Sequence, residues 1–70
     1  MDKLICFLEK ATKIVADPRM TQYQKDVRLA ELMTDMERIY KIPMFRNEQW
    51  EKENEYIITI YREISRMRSI

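Results

Sequence analysis

Residues 21–41 read TQYQKDVRLAELMTDMERIYK, and this stretch decides the fold class. Thr21 followed three places later by Gln24 is a capping-box pattern, in which the two side chains satisfy each other's orphan backbone N–H groups at a helix start. Beyond it the apolar residues Tyr23, Val27, Leu29, Ala30, Leu32, Met33, Met36, Ile39 and Tyr40 cover far more than one stripe of a helical wheel. Only a narrow face carrying Arg28, Glu31, Asp35 and Arg38 is uniformly polar. A helix apolar over so wide an arc is expected to touch two neighbours. The reading therefore places a helix over about 22–41 at the centre of a bundle.

Two prolines, Pro18 and Pro43, bound this stretch. Each pushes the residue before it out of the α region, which puts breaks near Asp17 and Ile42. On the N-terminal side Leu4, Phe7, Leu8, Ala11, Ile14 and Val15 share one stripe opposite Glu9, Lys10 and Lys13. This predicts a helix over about 3–16, with Asp2 as its N-cap. On the C-terminal side Asn47 is an N-cap for a third helix over about 48–67, whose apolar face is Trp50, Ile57, Ile60, Tyr61, Ile64 and Met67. Its acids Glu48, Glu51, Glu53 and Glu55 precede its bases Arg62, Arg66 and Arg68, the order that complements the helix macrodipole. The expected fold is all-α: an up-down three-helix bundle forming a single domain over 1–70. A two-helix hairpin with a loosely docked first helix and an intertwined dimer are the alternatives.

Composition narrows the chemistry. The chain has 70 residues, with no glycine, no histidine and one cysteine. A domain of this length buries roughly 60% of the surface its unfolded chain exposes, so stability is expected to be marginal. Cys6 has no partner for an intramolecular disulfide, and the usual zinc constellations need histidine or more cysteines. Phosphate-binding loops, oxyanion turns and tight hairpins lean on glycine's positive φ, so several enzyme classes lose their scaffold together. No metal and no cofactor are expected. A lone thiol, and an apolar run at Leu4–Leu8 too short for a signal sequence, imply a reducing, cytoplasmic setting. No stretch approaches the length of a membrane span.

Several motifs compete with plainer readings. Cys6 lacks an activating base and reads as a helix-flank residue. The pairs Glu31 with Asp35 and Glu51 with Glu55 have metal-compatible helical spacing, but neither faces the expected core. A DNA-reading helix-turn-helix is disfavoured by the long Ile42–Asn47 connector and by the acidic start of the third helix. Arg62, Arg66 and Arg68 are the residues a weak nucleic-acid-binding alternative would use. The first helix resembles a membrane-surface segment, yet the core needs the same stripe.

Apolar residues outside the core stripes carry the functional expectation. On a wheel drawn at ~100° per residue, Ile58 falls roughly 120° from the centre of the third stripe. Ile5 is likewise off its own stripe. Ile42, Met44 and Phe45 are apolar in a connector, where polar residues are the norm. Either Met44 and Phe45 fold back to cap the bundle against Trp50, or they form a contact surface. Glu53, an acid on an apolar stripe, either projects into water, needs an arginine partner, or marks the edge of a binding site. The sequence thus predicts a non-enzymatic, protein-binding or regulatory module. It acts through Ile42, Met44, Phe45, Trp50 and Ile58, with a protein partner or a second copy of itself, and not on nucleic acid or membrane. In style, a small glycine-poor helical chain of this kind is similar to the accessory regulators of bacteria and their phages.

Overall fold

The computed structural model describes residues 3–69. It contains four helices: α1 Lys3–Ala16, α2 Gln22–Tyr40, α3 Glu48–Glu53 and α4 Glu55–Arg66. The fold is an all-α bundle, and no strand occurs among the described residues. One expectation fails, because the third helix is two helices.

α1 forms over the expected residues; its proposed cap, Asp2, lies outside the described residues. Leu4, Phe7 and Ala11 are buried, with Leu8 and Ile14 packed beside them. Val15 departs from the expected stripe and is 41% exposed. The chain leaves α1 through a turn in which the Asp17 carboxylate accepts the Arg19 backbone N–H at 2.9 Å and its guanidinium at 3.2 Å. These bonds, the side-chain one foremost, hold the Asp17 pKa below its ordinary value.

α2 starts as its sequence dictates. Thr21 Oγ1 accepts from Gln24 N at 3.2 Å, and Gln24 Oε1 accepts from Thr21 N at 2.9 Å. At the other end Lys41 takes φ 53° and ψ 46°, the only positive φ among the described residues. Glycine is the usual residue here, and the chain has none. The left-handed conformation costs a side-chain-bearing residue about 1–2 kcal/mol. In return the Lys41 and Ile42 N–H groups both reach the Glu37 carbonyl, closing the helix end.

The third stretch breaks at Asn54, with φ −129° and ψ 42°. Its backbone N and its side-chain Nδ2 both donate to the Trp50 carbonyl, each at 2.9 Å. Asparagine competes for local backbone groups in this way, which is why it favours helix ends over helix interiors. α3 is capped at its start as expected, Asn47 Oδ1 accepting from Trp50 N at 3.0 Å. The chain then resumes as α4 after this single non-helical residue.

Three helices share the core. Leu4, Phe7 and Ala11 of α1, Leu29, Leu32, Met33 and Met36 of α2, and Ile60 and Ile64 of α4 form one buried cluster. The Phe7 and Tyr40 rings meet edge to face, 6.3 Å between centroids. Phe7 near the start of α1 thus meets the end of α2. Tyr61 of α4 bonds Glu37 late in α2, while Ser69 bonds Asp26 early in it. The order is therefore up-down-up. α2 packs on both α1 and α4, as expected, and those two also touch each other. Its covered arc is narrower than the sequence implies, since Tyr23, Val27 and Ile39 are exposed.

Candidate protein-binding groove

The Lys41–Asn47 connector divides its side chains between core and water. Ile42 packs on the core cluster. Met44 and Phe45 do not fold back as a cap; they are 92% and 82% exposed. Beside them lies an open groove of about 240 Å³, walled by Ile42, Trp50, Ile58 and Tyr61 and rimmed by Arg46 and Arg62.

The break at Asn54 builds this groove. By turning α3 onto α4 it brings Glu51 to Arg62, Oε1 to Nη2 at 2.5 Å, with Arg46 Nε 3.9 Å from the other carboxylate oxygen. Glu51 is the sheltered member, its side chain 16% exposed against 46% for Arg62 and 74% for Arg46. One carboxylate thus pins the connector and α3 to α4. The Arg46 end is long and loose, leaving that guanidinium largely to solvent.

Of the residues expected to bind protein, Ile42, Met44, Phe45, Trp50 and Ile58 all line this groove. Their exposures differ. Ile58, read from the wheel as an off-stripe exposed residue, is buried. It lies outside the main cluster, at the floor shared by this groove and a neighbouring one. The correction follows from the break, since the wheel assumes one straight helix, whereas here Trp50 and Glu51 of α3 line the same groove as Ile58. Trp50 is half-buried, and Ile5 is exposed as read. Glu53 is exposed as expected for a turn projecting into water.

Arg62, Arg66 and Arg68 do not form one open basic face. Arg62 is engaged by Glu51, and Arg66 by Glu63 at 2.9 Å. Arg68 lies past the end of α4, half-buried, its Nη1 3.7 Å from the Met33 sulfur and its Nε buried without a hydrogen-bond partner. Among the described residues no three potential metal ligands gather. No described helix is long and apolar enough to cross a membrane.

Sequence reasoning missed Glu51 and Arg46 as parts of the site. Glu51 and Arg62 stand eleven residues apart, which in one straight helix would hold them about 16 Å apart along the axis, so their pairing depends on the unforeseen break. Tyr61, read as a core residue, also donates its hydroxyl to Glu37 Oε2 at 2.5 Å. Burial first, and the Glu37 carboxylate second, push its pKa up to about 12. At the far end Asp26 accepts from the Ser69 hydroxyl at 2.5 Å and from its backbone N at 3.1 Å, and these bonds lower the Asp26 pKa. No family model matches this chain, and no curated protein or solved structure matches it either.

Proposed function

We propose that this chain is a non-enzymatic protein-binding module that works through the Met44–Phe45 tip and the groove behind it. The observation that carries the reading is the exposure of two adjacent large apolar side chains, 92% and 82%, in a connector. Isolated exposed apolar residues are ordinary. Two together beside a half-apolar recess form the kind of patch that marks a contact site. The groove lining supports the same reading, for it offers guanidiniums, one carboxylate, a phenol and apolar surface, the parts of a docking face. A module of this kind modulates a larger partner by covering part of it. Its single thiol suits a reducing, cytoplasmic compartment.

The test is partner capture. The tagged chain is expected to retain a specific protein from cells of its source, identified by mass spectrometry, or to retain itself. Phe45→Ser is expected to deplete that partner several-fold while leaving the circular-dichroism melt in place. Unchanged capture by a folded Phe45→Ser chain removes the tip from the binding surface.

A further inference from the structure

We propose that the groove is filled by the Met44–Phe45 tip of a second copy of this chain, the two copies exchanging tips about a two-fold axis. The inference rests on the reading that this face is the contact surface, and it names the partner.

A two-fold contact uses the same patch on both copies, so the patch must be complementary to itself. This one holds both halves of such a contact. Phe45 and Met44 project from the connector, and the recess walled by Ile42, Trp50, Ile58 and Tyr61 lies directly beside them. The sizes agree, since an apolar cavity of about 150 Å³ admits a benzene ring. A groove of about 240 Å³, lined in part by the chain's own Met44 and Phe45, has room for a phenyl ring of the other copy.

Charge selects a second copy over a charged partner. Around this groove and the one that shares its Ile58 floor stand Arg46, Lys52 and Arg62 against Glu48, Glu51 and Glu55. Three cations match three anions. The groove itself carries Arg46 and Arg62 against Glu51, while Glu48 and Glu55 stand at the adjoining one, so the face of one copy offers carboxylates to the guanidiniums of the other. The net charge of +1 sets no long-range barrier between copies. Arg46, held only loosely by Glu51 at 3.9 Å, is the guanidinium most able to turn toward a carboxylate of the other chain.

The experiment is sedimentation equilibrium of the whole chain across concentration, with Trp50 emission recorded on the same samples. Trp50 is the sole tryptophan and lines the groove. Expected is a monomer–dimer isotherm along which the emission shifts to the blue. Phe45→Glu, and separately Met44→Glu, should each raise the dissociation constant at least about tenfold, the scale of a central contact residue, without changing the helical signal. A chain that stays monomeric at every soluble concentration overturns the proposal. So does a dimer whose isotherm ignores both substitutions, or one that forms with no change at Trp50. A monomeric chain that still captures a different protein through Phe45 overturns this inference and leaves the binding reading standing.

Discussion

Tyr61 ties α4 to α2 with one hydroxyl, and its altered titration gives the bond a pH signature. Its folded pKa of about 12 lies above the ordinary value of 10.0. The neutral phenol is therefore the stabilised form. The contribution is fully present below about pH 10 and is lost as pH rises toward the folded value. Tyr61→Phe is expected to lower stability near neutral pH by about 0.5–1.5 kcal/mol, the net worth of a hydrogen bond, and to flatten the alkaline decline in thermal melts. An alkaline decline identical in both chains would assign it to other groups. Ile58 makes a different residue-scale case. It is buried at 9% exposure, so Ile58→Glu places a carboxylate on the floor of the groove. An expected loss of about 1–3 kcal/mol in a denaturant titration follows, where an exposed isoleucine would show almost none. The sequence grouped Ile58 with the connector residues that line the same groove, but gave it the wrong exposure. The alternation of apolar and polar residues reports a face only for as long as the helix runs straight.

At the scale of elements, the break at Asn54 sets two free energies against each other. Replacing Asn54 by alanine gains at most about 0.7 kcal/mol of helix propensity. Straightening α3 into α4 would uncover Ile58, whose burial is worth about 1.5–3 kcal/mol, and would pull Glu51 from Arg62. Burial outweighs propensity. Asn54→Ala is thus expected to keep the break and the helical signal while losing about 1 kcal/mol in a thermal melt, because the Trp50 carbonyl gives up its side-chain donor. A clear rise in helicity would reverse that ranking. α1, α2 and the Thr21 and Asn47 caps were legible because each rests on a local signal: a period, a capping residue, a nearby proline. The Asn54 break was not legible, since one asparagine inside a strong apolar period is outvoted by its neighbours. What decides it is the pairing of Glu51 with Arg62 of α4, a contact between segments.

For the molecule as a whole, one small cluster must hold three helices without a disulfide. Leu29, Met36 and Ile64 are its fully buried large side chains. Leu29→Ala is expected to cost about 2–5 kcal/mol, against a total that for a domain of this size lies near the low end of about 5–15 kcal/mol. The variant should be largely unfolded at 37 °C by circular dichroism; a melt within a few degrees of the parent would mean that the core lies elsewhere. The bundle and its helix order were legible from three periodic stripes. Two features were not. The width of the buried α2 arc is one, which the sequence overstates by Tyr23, Val27 and Ile39. The choice of Met44 and Phe45 between core and water follows from connector geometry, which begins with the left-handed turn at Lys41.

Met44 stands 92% exposed while Met33 and Met36 are buried at 9% and 0%. Thioether oxidation follows access, and a sulfoxide turns a flexible apolar group into a polar one. Among the described methionines Met44 is therefore the first to be modified when the protein meets peroxide, and the damage falls on the tip and spares the core. A sample aged in air keeps its helices and its melt while its surface chemistry changes. Peptide mass mapping of Met44 thus belongs beside any binding measurement, and reductive repair of that one sulfur restores the native tip.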